Sequence, residues 1–181
     1  MQLHKMEIGA VVTDKRGKMV LSREFVECHC LLKQFAQLLH GSMSKTGQTI
    51  KGTDGADHAI AAGYMNLWLN AGIQTNRGIV IGSGHANAVT MTDYKLENQM
   101  VTNLAHAAES FALENPSADV WRAATSRGIT NNTGAQAVVE EVALYTYDDI
   151  GGYYCIDRTL YHVTFEAGET LTLTYRIPVS L

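Results

Sequence analysis

The sequence has 181 residues, which fits one domain and suffices to bury a core without metal or disulfide staples. Its net charge is −4 with the seven histidines neutral, and no run of Lys and Arg is long enough to track a phosphate backbone, so nucleic acid is excluded as the expected partner. Charged residues make up 18% of the chain against the roughly 25% usual in soluble domains, a shortfall that suits a subunit with large protein contacts and equally a thick two-sheet core.

No stretch approaches the ~20 consecutive apolar residues of a membrane span. The first eight residues carry His, Lys and Glu in place of an apolar run, so no signal peptide is expected. Cys28, Cys30 and Cys155 are odd in number and lack framework spacing, which predicts free thiols in a reducing compartment.

Residues 6–12 and 18–21 are short β-type runs separated by Asp14–Lys15–Arg16–Gly17, a hairpin pattern. Ser22 then opens a predicted helix over 23–40. Phe25, Cys28, Leu31, Leu32, Phe35, Leu38 and Leu39 recur there at three- and four-residue spacing and share one face, with Gly41 as the stop. The polar, Gly-rich stretch 42–57 holds one short strand, 48–51. Residues 64–69 and 78–81 read as strands, the second a buried apolar run between glycines, and 90–99 as irregular. Residues 104–113 mix helix formers with β-like neighbours and are assigned to strand, and Pro116 is expected to break what precedes it.

Strands follow at 119–130 and 137–147, joined by Asn131–Asn132–Thr133–Gly134, residue types that tolerate positive φ. Within the second, Glu140–Glu141 interrupts the alternation and points to a bulge. Residues 153–156 and 160–165 are two further strands, and Glu166–Ala167–Gly168 turns the chain. From 170 to 181 the alternation is strict: Leu171, Leu173, Tyr175, Ile177 and Val179 on one face, Thr172, Thr174 and Arg176 on the other. Short strands joined by polar turns, one early helix and no βαβ rhythm predict a mainly β chain, an antiparallel sandwich with a jelly roll as first choice. The reading is of a single domain, 1–181, with the hairpin and helix of 1–45 as an interaction element and 46–181 as the body.

Little in the chain gathers as reactive chemistry. Gly82–Ser83–Gly84–His85 follows a strand as a phosphate loop does. However, Asn87 stands where a dinucleotide fingerprint needs its third small residue, so a tight turn is expected. Glu27–Cys28–His29–Cys30 is dense in metal-ligand types, but on a helix residues 28 and 30 project about 200° apart, so no metal site is assigned. The neighbours Glu140 and Glu141 point to opposite faces of a strand and form no acid/base couple. Asp148–Asp149 before Gly151–Gly152 leaves a weak calcium site open. No Gly-x-Ser-x-Gly elbow is present, and no catalytic residue or cofactor is assigned. Tyr145, Tyr147, Tyr153 and Tyr154 cluster around one loop, either as contacts to a partner or glycan or as caps on the sandwich.

Several segments together resemble uncharacterised structural proteins of tailed bacteriophages. They are Thr49–Ile50–Lys51–Gly52–Thr53 after the helix, Ile79–Val80–Ile81–Gly82–Ser83–Gly84 and Thr92–Asp93–Tyr94–Lys95–Leu96–Glu97. To these add Ile129–Thr130–Asn131–Asn132–Thr133–Gly134 with Val139–Glu140–Glu141–Val142–Ala143–Leu144–Tyr145, and the closing hairpin around Ala167–Gly168–Glu169–Thr170–Leu171. The resemblance implies a virion component made in the host cytoplasm, a decoration or minor capsid protein or a tail protein. Its partners would be other virion proteins and copies of itself in a homo-oligomer, with no nucleic acid and no membrane. Phe25, Leu31, Leu32, Phe35, Leu38 and Leu39 are the expected assembly face of the helix. Two alternatives stand beside this: a carbohydrate- or host-receptor-binding module using the tyrosines of 145–154, and a hydrolase whose active site is built from distant residues.

Overall fold

The computed structural model describes residues 2–3, 6–28, 32–61, 68–69, 72–84, 86–117, 120–148 and 151–180. In chain order its elements are β1 (Gln2–Leu3), β2 (Glu7–Thr13), β3 (Met19–Glu27), α1 (Lys33–Ser44), β4 (Gln48–Lys51), β5 (Asp57–Ile60), β6 (Gly78–Gly82), β7 (Leu104–His106), β8 (Ser110–Ser117), β9 (Val120–Asn131), β10 (Ala137–Tyr147), β11 (Tyr153–Phe165) and β12 (Thr170–Ser180). The chain is mainly β, and the described strand registers are antiparallel. Contacts divide it into two compact units: Met1–Cys28 with Val101–Val138 and Val163–Leu181, and His29–Met100 with Val139–His162.

The first unit holds a sheet in the order β3-β2-β12-β9-β7, with β1 added on β12 and β8 on β9. The alternation of β12 organises it. Leu171, Leu173 and Tyr175 pair with Val12, Ala10 and Ile8 on one side and with Ile129, Arg127 and Thr125 on the other, and all of them are buried. The opposite face is a half-buried hydroxyl ladder in which Ser126 meets Thr174 at 2.7 Å and Thr130 meets Thr170 at 2.8 Å. A period of two thus produces one apolar and one polar face.

The first hairpin forms where the sequence placed it. Asp14 Oδ1 accepts from the amides of Arg16 and Lys18, and Gly17 adopts the left-handed φ of +76° that closes the turn. Its second strand runs on through Glu27, however, and this replaces the first half of the predicted helix. The strand 19–27 pairs with β2, and the Cys28 amide donates to Met6 O at 2.7 Å. Strand pairing across the hairpin outweighs the helical spacing of residues 22–28. Pro116 does not end β8 either. It lies in the register shift between Glu114 and Ser117 on a strand that, among the described residues, is paired on one side only, where a missing N–H removes no ladder bond.

The second unit holds β6, the hairpin β4-β5, α1 and most of β10 and β11, which form the sheet β11-β10-β6. All of β6 is buried, as its apolar run between glycines required. The core gathers Leu32, Val80, Leu96, Ala143, Tyr145 and Cys155, with Val89 packed against it. The helix begins at Lys33, and backbone carbonyls serve its entry: Leu32 N–H donates to Ile156 O and Lys33 N–H to Met91 O. Gly41 is buried inside the helix, which continues to Ser44 and stops on Lys45 in the left-handed conformation. The two short strands expected at 153–156 and 160–165 are one, β11. The bulge expected at Glu140–Glu141 is not seen on the β6 side, where the register runs unshifted from Glu141 to Tyr145. Of the strand expected at 64–69, residues 64–67 lie outside the described residues, and Trp68 bridges singly to Tyr147.

Candidate functional site

The expected assembly face does not exist as one helical stripe. Phe25 sits on β3, its ring over Gly9, where an added Cβ would come within 3.0 Å, and the Arg176 guanidinium lies 3.7 Å from the ring centroid. Leu32 and Leu38 are fully buried, Phe35 is half-buried, Leu39 is exposed and Leu31 lies outside the described residues.

What the first unit exposes instead is its sheet edges. Among the described residues β3 and β8 each pair on one side only. Met19, Val20 and Val26 are about half exposed on β3, and Phe111 and Leu113 on β8, with Leu113 at 71%. Open backbone donors and acceptors combined with apolar side chains make these edges templates for another strand.

The four tyrosines divide into two pairs. Tyr145 is buried and its hydroxyl accepts from Leu96 N–H at 2.7 Å; burial drives its pKa far up. Tyr154 is buried and donates to Asp148 Oδ2 at 2.8 Å, and burial and then the Asp148 carboxylate raise its pKa. Tyr147 and Tyr153 are half-buried with ring centroids 5.4 Å apart. Trp68, 54% exposed, lies 6.4 Å from Tyr147, whose ring also carries Arg77 at 5.0 Å. This ledge of three aromatics and a guanidinium was half legible, because the Tyr147–Tyr153 loop is local in sequence. Trp68 and Arg77 are not, and their own segments give no sign of this partner.

The Asp148 carboxylate closes its own turn. Oδ1 accepts from Gly152 N–H at 2.6 Å while Oδ2 holds Tyr154, and Asp149 lies outside the described residues. Among the described residues no three His, Cys, Asp or Glu converge as metal ligands.

Sequence reasoning missed the most densely charged cluster. Arg158 is buried, and each guanidinium nitrogen reaches a different carboxylate: Nε to Glu141 at 2.8 Å, Nη1 to Asp93 at 2.7 Å and Nη2 to Glu97 at 3.0 Å. Glu141 is fully buried and also accepts from the amides of Glu97 and Asn98. Burial opposes ionisation of Asp93, but hydrogen bonds from Thr90 and Arg158 outweigh it and hold the carboxyl below its ordinary range. Glu97 is likewise held low: its desolvation is outweighed by the Asn87 amide and Arg158. This cluster explains Gly82–Ser83–Gly84. A β-carbon at Gly82 would lie 2.5 Å from Glu141 Oε1, and one at Gly84 would overlap Glu97. The glycines make room for carboxylates, the opposite of a phosphate cradle.

Two further buried groups belong to the first unit and are chemically quiet. Arg127 is 1% exposed, donates to Ala107 O at 3.0 Å and pairs with Glu109 at 3.3 Å. Beside it His106 is buried with neither ring nitrogen hydrogen-bonded, and burial, then the Arg127 charge, brings its pKa down to about 4. The Cys155 thiol, fully buried, is pushed well above its usual range by desolvation, the reverse of an activated nucleophile. Comparison with family models, with curated proteins and with solved structures finds no match for this chain.

Proposed function

We propose that this protein is a structural subunit that works by assembling with copies of itself and with other proteins, and that it is a non-enzymatic component of a tailed-phage virion, on the capsid surface or in the tail. The observation that supports assembly is the pair of open apolar edges, β3 and β8, on one sheet. The virion assignment is supported by the segments that resemble phage structural proteins, and the finer architecture proposed is a jelly-roll-like sandwich. The test is the mass in solution of the wild-type protein and of Met19→Lys with Val26→Lys, both exposed positions on β3. The wild type is expected to be oligomeric and the variant to shift toward monomer while keeping its β-sheet circular dichroism. A wild-type monomer at all concentrations, absent also from a map of an assembled particle, overturns the reading.

A second reading, glycan or receptor binding, is favoured by the ledge of Trp68, Tyr147 and Tyr153. Tyr147→Ala with Tyr153→Ala is then expected to abolish binding on a host-glycan array. No wild-type signal on that array removes this reading.

A further inference from the structure

The apolar face of the first unit's sheet outruns its cover. The registers place Tyr175, Thr125 and Phe111 in one cross-strand row and Ile177, Ala123 and Leu113 in the next, with Trp121 two residues beyond Ala123 on the same side. Tyr175 and Thr125 are buried, but Ile177 is half-buried, Ala123 is exposed, and Phe111, Trp121 and Leu113 are exposed by 53%, 48% and 71%. The reverse side of the same strands is ionic. Arg176 pairs there with Glu114 at 2.9 Å, and Glu114 stands opposite Arg122 in the register. Ions on one side and none on the other is the pattern of a sheet that buries its apolar face.

Charge, shape and area narrow what covers it. Phe111, Leu113, Trp121, Ala123 and Ile177 are all uncharged, so two copies of this face meet without a like-charge pair, whereas a charged partner gains no ion pair on it. Ala123 is the small residue among them, flanked across the strands by Leu113 and Ile177 and along β9 by Trp121 and Thr125. Packed sheets interdigitate large side chains with small ones, and this one face supplies both. Taking roughly 150–250 Å² for a whole aromatic side chain, Phe111, Leu113 and Trp121 offer roughly 300 Å² of open apolar surface per copy. Two copies then bury roughly 600 Å² before the rim is added, less than the roughly 1,200 Å² of a stable interface and in the range of a reversible one.

We propose that this end of the sheet is a homotypic docking face, on which a second copy of the chain packs its own Phe111, Leu113 and Trp121 in a reversible dimer. The inference rests on the assembly reading above. It does not rest on the open edges that support that reading, because Trp121 and Ala123 sit on β9, which is paired on both sides.

Sedimentation of the full chain from about 1 to about 100 μM tests it, beside Trp121→Lys and Ala123→Asp. Both variants change exposed positions on the face and leave the edge strands untouched. Each is expected to weaken self-association about tenfold or more at unchanged melting temperature. The chain has two tryptophans, so Trp68→Phe leaves Trp121 as the single emitter, and its emission is expected to move to shorter wavelength as the concentration rises. Full association by either Trp121→Lys or Ala123→Asp, in a wild type that associates, overturns the docking face and leaves the assembly reading standing. A wild type that stays monomeric throughout overturns both. An emission shift on phosphatidylcholine vesicles, with none on concentration, makes the occupant a lipid surface and overturns the proposal as well.

Discussion

Arg158 illustrates how one side chain is satisfied inside a protein. Its three nitrogens meet three carboxylates, one of them fully buried. Removing a buried partner strands the opposite charge, so Arg158→Ala is expected to cost about 3–5 kcal/mol in urea unfolding. Adding Glu141→Gln should restore part of it, because the two changes share one interaction. A loss below about 1 kcal/mol, or strict additivity, would show that water already screens the cluster. His106 gives a pH signature of opposite origin. Its ordinary pKa of 6.5 falls to about 4 in the folded chain, so the unfolded chain binds the proton first. Stability is therefore complete above pH 6.5 and declines as pH falls from 6.5 toward 4, by about 2 kcal/mol between pH 7.5 and 5. His106→Leu should flatten that slope, and parallel slopes for the two proteins would refute the assignment.

At the scale of elements, α1 offers the sharpest contrast between sequence and structure. A helix over 23–40 sets Leu38 and Leu39 on one buried face, whereas the observed helix buries Leu38 and exposes Leu39. Leu38→Ala is expected to cost about 2–5 kcal/mol and Leu39→Ala under about 0.5 kcal/mol, measured by thermal or urea unfolding. Similar losses would restore the longer stripe. The strands of the final third were legible because burial on one face imposes a period of two, as in Leu171, Leu173 and Tyr175, and because Gly134 and Gly168 take the positive φ their turns need. Segment 22–27 was not, since helical spacing of Phe25 and Cys28 coincides there with a strand whose partner lies across a hairpin. The site residues fared similarly. Tyr147 and Tyr153 are near in sequence and could be grouped, while Arg158, Asp93 and Glu97 meet only through the fold. The Gly82–Ser83–Gly84 pattern signalled close approach without revealing that carboxylates were what approached.

At the scale of the whole molecule, the first unit's sheet is open along its edges. Over their central rows the sheet faces are satisfied, one by apolar packing and one by its threonine and serine hydroxyls. In the first unit, open edges with exposed apolar side chains lie on β3 and β8, which among the described residues bound the same sheet on different sides. That arrangement fixes a stoichiometric rule. When β3 docks with β3 of a second copy and β8 goes unused, the contact is self-matching, related by a two-fold axis, and growth halts at two chains. When β3 docks with β8, every addition regenerates a free end, and growth halts only where the rotation per copy brings the last chain back to the first. Under the assembly proposed above, counting chains in the oligomer would identify which edges met: a pair would mean like with like, and a ring of three or more unlike.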